Sequence, residues 1–474
     1  MTAPDSPAPE VAADLPGPSV AAGRLVPQRA LIVLPSTGEF DSRTWRIATT
    51  LVGRGHEVTV LARWAPGLAR DERVAGGYRV VRVPVSAVDG LPLPRWIRDT
   101  IAGARARRSR GRGASDAPGA FETAAAVAAI TRPGLAARLA RAVAGARRIA
   151  AIALTVRSQS RGARAVAPGA DIVHGMAYMG IPVALSVGRR LGAAVIYDAR
   201  DIYVDARNLA RLPGPARSVV AARERRWARA ADRVLTVNLP YAEVMAERWE
   251  LPLPLVVLNC AYRTAVPDPP GRRFHERFDL PPDARVVLYQ GGFTPGRGIE
   301  QLIDAIRAVP DAVLVLLGYG EILPEIEKLA AAPDLADPRL DRRVRILPAV
   351  APTELLDWVA CADVVAMPIQ PTTLNHRLTT PNKLFEAMAV GVPVVASDLP
   401  GMAPIVRETG CGVVCDPTDA AAIAAAILAI IDAPGAERAG YRRRALDAAH
   451  ATYCWEHQAE ALLAEYGRLT GRPW

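Results

Sequence analysis

A chain of 474 residues, half of them hydrophobic, is longer than one ordinary core needs and points to two domains. That apolar fraction excludes a wholly disordered or fibrous protein, and no apolar run reaches the roughly 18–20 residues of a membrane-spanning helix. The net charge of +10 is concentrated. Arg95 to Arg164 holds 15 arginines against Asp99, Asp116 and Glu122, a balance of +12 that leaves the remainder near −2.

Residues 1–26, rich in Ala and Pro, read as a disordered leader. They lack the basic start and apolar stretch of a secretory signal, so a cytoplasmic protein is expected. An N-terminal domain over 27–268 then opens with a strand at Ala30–Leu34, a loop through Gly38, a helix from Ser42 to Arg54 and a strand at Val58–Leu61. Further strands fit Arg79–Val83, Asp171–His174, Ala194–Tyr197, Val234–Val237 and Leu255–Leu258.

The segment 95–164 interrupts this domain. Its second part, Gly134 to Val156, gathers Leu135, Leu139, Val143, Ala146, Ala150 and Ala153 on one side of a helix with arginines on a flank. Two readings are open: an anionic membrane surface as partner, or a stripe that packs on its own domain. Nucleic acid is not expected, because no aromatic residues interleave the arginines between Arg98 and Phe121.

A Pro-rich stretch from Val266 to Pro282 reads as the linker, and a second domain spans 269–474. Its strands fit Val286–Tyr289, Val313–Leu317, Val344–Leu347, Val364–Pro368 and Val392–Ala396, with the last helix a candidate to pack back on the first domain. Strands alternating with helices give an α/β fold of two doubly wound, Rossmann-like domains facing a central cleft, where ligands sit beyond the strands' carboxyl ends. The apolar run Ala420–Ile431 reads as a core helix. Five cysteines without a zinc-ligand spacing read as buried thiols.

Lys328 and Lys383 are the only lysines among 58 basic residues. Lys383 lies in Thr380-Pro381-Asn382-Lys383-Leu384-Phe385-Glu386, where Thr380 suits an N-cap, Pro381 the first helical position and Gly391 the stop. Asn382 and Lys383 then sit in a first turn that favours anions, and Glu386 shares their face. A nucleotide diphosphate answers both charges, with phosphates for Lys383 and a ribose diol for Glu386. A second Gly-rich loop, Gln290 to Gly298, aims Arg297 at the same kind of ligand. No third glycine completes a dinucleotide fingerprint after Gly318-Tyr319-Gly320, and no Asp-x-Asp occurs to hold a metal diphosphate, so no metal site is expected.

These residues resemble the retaining nucleotide-sugar glycosyltransferases of the GT-B fold, family 4, over Leu31 to about Tyr466. Gly38 matches the glycine of the family's first loop, Arg297 its second basic diphosphate position, and the Pro381–Glu386 run one branch in which the Glu contacts the ribose. Gly292 stands where the first basic position usually falls, and Leu378 where an acidic residue usually does. His174-Gly175-Met176-Ala177 and Asp198-Ala199-Arg200-Asp201 differ from the usual acceptor-side motifs.

The resemblance implies Arg297 and Lys383 as catalytic residues. It implies a donor site of Gly38, His174, Gly292, Arg297, Asn375, Thr380, Asn382, Lys383 and Glu386. It implies a nucleotide-diphosphate sugar as substrate, no cofactor, and a cell-envelope, polysaccharide or lipid-linked acceptor at the inner face of a membrane. The alternatives are an epimerase on the same fold, a non-catalytic nucleotide-sugar binder and, more distantly, a nicotinamide-dependent oxidoreductase.

Overall fold

The computed structural model describes residues 26–39, 41–86, 135–266 and 271–474. Residues 1–25, residue 40, residues 87–134, which include the first part of the basic segment, and residues 267–270 of the Pro-rich stretch lie outside the described residues.

The N-terminal half is built on an eight-stranded sheet: β1 (Arg29–Val33), β2 (Glu57–Arg63), β3 (Asp71–Arg73), β4 (Arg79–Val83), β5 (Ile172–Met176), β6 (Ala194–Ala199), β7 (Arg233–Thr236) and β8 (Leu255–Val256). Their order is β3-β4-β2-β1-β5-β6-β7-β8, parallel except for the added edge strand β3. Helices α1 (Ser42–Gly53), α2 (Leu135–Val166), α3 (Ala177–Leu191), α4 (Gly214–Ala228) and α5 (Leu239–Trp249) connect the strands. Asp41 caps α1 by accepting from the Thr44 amide at 2.9 Å, and Arg200 holds the same carboxylate at 2.8 and 2.9 Å.

After the short helix α6 (Arg273–Phe278), whose Phe274 is buried, comes a six-stranded parallel sheet. It comprises β9 (Arg285–Gly292), β10 (Ala312–Tyr319), β13 (Val344–Pro348), β14 (Val364–Met367), β15 (Val394–Ser397) and β16 (Gly412–Cys415), in the order β13-β10-β9-β14-β15-β16. A small hairpin, β11 (Ala336–Asp337) with β12 (Asp341–Arg342), stands apart. The helices used below are α7 (Ile299–Ile306), α8 (Leu374–Leu378), α9 (Asn382–Ala389), α10 (Ala420–Ile431) and α11 (Trp455–Thr470).

Both sheets reverse winding beside their first strand, at β1/β5 and at β9/β14, and that is where a doubly wound sheet opens its crevice. Each sheet is buried on both faces, so its strands are nearly continuous apolar runs. Residue α11 belongs to the N-terminal core: Trp455, Leu462, Leu463 and Tyr466 pack with Ile32, Met176, Ile196 and Leu235. Trp474 follows them in, stacked near His56 at 4.8 Å.

Several sequence expectations change here. The loop expected from Gln290 begins three residues later, because Gln290, Gly291 and Gly292 pair with Leu317, Gly318 and Tyr319 and prolong β9. The linker stretch contains α6. The helix expected to end at Val156 runs on to Val166, and Ile149, Ile152 and Val156 pack on the N-terminal core, leaving Val143, Ala146 and Ala150 exposed. All five cysteines are free and buried.

Candidate nucleotide-sugar site

Helix α9 starts at Asn382, and its N-cap is Pro381, which offers no side-chain acceptor. The Leu384 amide donates to the Pro381 carbonyl at 3.0 Å, and the Asn382 and Lys383 amides ahead of it keep their capacity for an external anion. This corrects the capping role expected of Thr380. Its hydroxyl donates to the Gly401 carbonyl and accepts from Asn238 Nδ2 at 3.0 Å, so it is spent on packing.

Lys383 is only 9% exposed and bends back over the carboxyl end of β9. Its Nζ stands 3.4 Å from the Tyr289 ring centroid, in a cation–π contact. Gly291 lies beside it at φ +125°, a backbone conformation that favours glycine, and a Cβ there would be in ordinary van der Waals contact with Nζ at 3.6 Å. Burial pushes the ammonium pKa well down, the neighbouring Arg297 charge adds to this, and Glu386 opposes it. Arg297 sits in the turn before α7, with Nε 3.4 Å from Thr294 Oγ1. Gly298, at φ +75°, follows it with no room for a Cβ against the Pro368 carbonyl. Among the described residues neither Lys383 nor Arg297 has a carboxylate within ion-pair distance. Two like charges with no counter-ion are an unfavourable arrangement that an anionic ligand relieves.

Glu386 lies one turn beyond Lys383 and is half-buried. Burial raises its pKa, against the pull of Arg46, Lys383 and the nearby Gln290 amide. Arg46 comes from α1, in the other half of the molecule. Arg46 and Gln290 were not singled out by the sequence; a polar residue in the apolar run Val286–Tyr289 and beyond was the one available signal.

Of the other expected donor residues, Asn382 lies in the first turn of α9, Gly292 is exposed at the tip of β9, and Gly38 occupies the loop after β1 at φ +89°. Two are placed elsewhere. His174 is fully buried, with Nδ1 2.7 Å from Tyr466 Oη and Nε2 3.1 Å from Asp198 Oδ2. Both ring nitrogens are engaged, so it is a core histidine and not a cleft residue. Asn375 on α8 bridges the halves: its Oδ1 accepts from the Ile202 amide at 2.8 Å, its Nδ2 donates to Asp201 at 3.1 Å, and its carbonyl accepts from Tyr241 Oη at 2.8 Å. With Asn238 donating to the Leu378 carbonyl at 2.8 Å, α8 is clasped to the N-terminal half beside the cleft.

Two Rossmann-like halves, with an uncapped helix start and paired cations at the switch point of the second, define the GT-B class of architecture. A sucrose-phosphate synthase from Thermosynechococcus elongatus has the same fold, with a TM-score of 0.66 at 17% identity over 94% of this chain and 99% of that one. Residues 284–433 match the family model described as glycosyl transferases group 1. The chain is 31% identical over 385 residues to a GDP-mannose-dependent alpha-(1-6)-phosphatidylinositol monomannoside mannosyltransferase of Mycolicibacterium smegmatis, covering 79% of this chain and 81% of that protein. It is also 33% identical to a D-inositol 3-phosphate glycosyltransferase of Xylanimonas cellulosilytica, over 207 residues that are 42% of this chain and 45% of the relative. The match thus spans under half the length of that relative. The chain belongs to the group 1 glycosyltransferase family.

Proposed function

We propose that this protein transfers a glycosyl group, with retention, from a nucleoside-diphosphate sugar to a cell-envelope or lipid-linked acceptor. The observation that carries the reading is the pair Lys383 and Arg297, two cations without counter-ions beside the uncapped start of α9, with Glu386 one turn away. In the transfer, the bond between the sugar's anomeric carbon and the diphosphate oxygen breaks, and the acceptor oxygen bonds that carbon on the same face. The acceptor proton passes to the departing diphosphate. Charge develops on that leaving group, and Lys383, Arg297 and the α9 amides are placed to stabilise it without reorganising. Because these groups supply the positive charge, turnover is expected to proceed without a divalent metal.

The acceptor class is supported by the lipid-linked substrate in the mannosyltransferase relative's name. The exposed Arg147, Arg148 and Arg157 of α2 suit an anionic membrane surface and a peripheral cytoplasmic location, each such charge contributing about 1 kcal/mol near anionic lipid. The test is release of free nucleoside diphosphate from a panel of UDP-, GDP- and ADP-sugars, with lipid extract as acceptor and with or without chelator. Donor-dependent release with an acceptor product of retained anomeric configuration is expected. No release from any donor, or an inverted product, overturns the reading.

A further inference from the structure

The few residues that lead into α9 are gripped from two sides, and one grip comes from the other half of the molecule. Thr379 and Pro381 are extended, with ψ at 141° and 143°, so the chain between α8 and α9 takes its course from what holds it. On the C-terminal side this is the turn at Gly401. It lies against the Leu378 and Thr379 backbone with no room for a Cβ, and its carbonyl accepts from the Thr380 hydroxyl.

On the N-terminal side the grip is Asn238, which is 3% exposed and engages both ends of its amide. Its Oδ1 accepts from the Tyr241 amide at 2.8 Å and so caps α5. Its Nδ2 donates to the Leu378 carbonyl at 2.8 Å and to Thr380 Oγ1 at 3.0 Å. A flipped amide would set donor against donor at Tyr241 and oxygen against oxygen at Leu378, so the orientation is fixed. The Thr380 hydroxyl, having donated to Gly401, can only accept from Asn238. A directed chain of bonds thus runs from α5 through Thr380 to Gly401 across the interface.

What this chain holds lies directly ahead of the anion site. The Pro381 ring keeps φ near its value of −76°, so a displacement of Thr380 is not absorbed there and passes on to Asn382 and Lys383. We propose that Asn238 is a positioning residue for glycosyl transfer: from the N-terminal half it fixes Leu378 and Thr380, and through Pro381 it aims the open Asn382 and Lys383 amides at the departing diphosphate. This role rests on the transfer proposed above and adds to it a residue that acts through the backbone without touching substrate. Its loss belongs in kcat, because those amides meet the charge that develops on the leaving group. Binding of the nucleotide itself keeps both cations, Lys383 and Arg297.

The test compares Asn238→Ser and Asn238→Asp with wild type, each as the full chain. Both substitutions keep an oxygen to cap α5. Serine is too short to reach Leu378, and an ionised aspartate has no N–H to donate. The measurements are kcat and donor KM for nucleoside-diphosphate release, using the donor found in the panel above and lipid extract as acceptor. Calorimetric titration with the matching nucleoside diphosphate and thermal unfolding accompany them. A fall in kcat of roughly ten- to a hundredfold is expected in either variant, with nucleoside-diphosphate affinity within about twofold of wild type. A lowered melting temperature with unchanged kcat would make Asn238 a contact of the fold alone and overturn the positioning role. So would an equal loss of kcat and nucleotide affinity. Failure of wild type to release nucleoside diphosphate from any donor overturns the transfer and this role together.

Discussion

The two halves of the molecule each bury a polar cluster, and the clusters are built on opposite principles. In the N-terminal half, Arg43 donates to Asp198 at 2.7 Å and to the Val257 carbonyl at 2.8 Å, and Asp198 meets His174, which meets Tyr466. Burial alone would neutralise Asp198, but Arg43 and His174 keep its pKa below the usual carboxylate range. Charge answers charge within that cluster, and four elements are tied together by it. In the C-terminal half, burial and the neighbouring Arg297 charge both work against the Lys383 ammonium, and no carboxylate pairs with either cation among the described residues. The first arrangement is architecture. The second lacks the counter-charge that an anionic ligand can bring, and it is this unpaired charge that sets the two apart, since Arg43 Nη2 and Asp198 Oδ1 in the first cluster are also without hydrogen-bond partners.

Four experiments can break or sharpen this contrast. The largest effect belongs to the closed cluster: Asp198→Asn leaves Arg43 buried without its counter-ion and is expected to lower unfolding free energy by about 3–5 kcal/mol in denaturant titrations. A loss below about 1 kcal/mol would show that the cluster does not hold the fold. Next, Lys383→Met is expected to reduce donor turnover roughly a hundred- to thousandfold. Its melting temperature should hold or rise, since the buried stem stays and the desolvated charge goes. Destabilisation on the scale of Asp198→Asn would erase the distinction between the halves.

Glu224 sharpens the contrast from inside the N-terminal half. It is 2% exposed, accepts from Tyr197 Oη at 2.7 Å, and burial raises its pKa to about 7. The folded state therefore holds a proton that the unfolded state releases at lower pH, so stability falls as pH rises from the ordinary carboxyl range through about 7. Glu224→Gln should abolish that decline, which is on the order of 3 kcal/mol, in unfolding measured between mildly acid and mildly alkaline pH. A decline that persists in the variant would assign it to another group.

The smallest effect concerns proton uptake. An anion beside Lys383 raises its depressed pKa, so nucleoside-diphosphate affinity should fall as pH rises from the depressed pKa of the free protein toward the raised one of the complex. In Lys383→Arg, whose guanidinium does not titrate there, the slope should flatten. Equal slopes in both proteins would mean that Lys383 is not beside the phosphates.

The parts of this design that were legible in the sequence are those encoded locally. Most strands of both sheets could be read from apolar runs between turn residues. Lys383 stood out as one of two lysines, and the three-residue spacing to Glu386 put both on one helix face. Residues whose role depends on a distant partner were not legible. From the sequence His174 reads as the end of a strand that points toward the cleft, but β5 continues to Met176, and Tyr466 and Asp198 close over the ring. Asn375 and Thr380 lie within a few residues of Lys383, yet they reach Asp201 and Asn238 across the interface. The short edge strands Asp71–Arg73 and Gly412–Cys415 carry too little periodicity to stand out, and only sheet pairing makes them strands.

The return of α11 to the N-terminal sheet bears on how the protein is made. Ribosomal synthesis emits the strands β1 to β8 first, while Trp455, Leu462, Leu463 and Tyr466, which cover Ile32, Met176 and Ile196, emerge some two hundred residues later. Until then that face of the first sheet is covered only in part, by Ile47, Ala48 and Leu51 of α1, and the tyrosine that completes the His174–Asp198 chain is missing. The first half to be translated is thus the last to be finished, and the second sheet can fold while the first still waits. A nascent chain stalled before Trp455 should display an apolar sheet face to chaperones, whichever half is longer out of the ribosome.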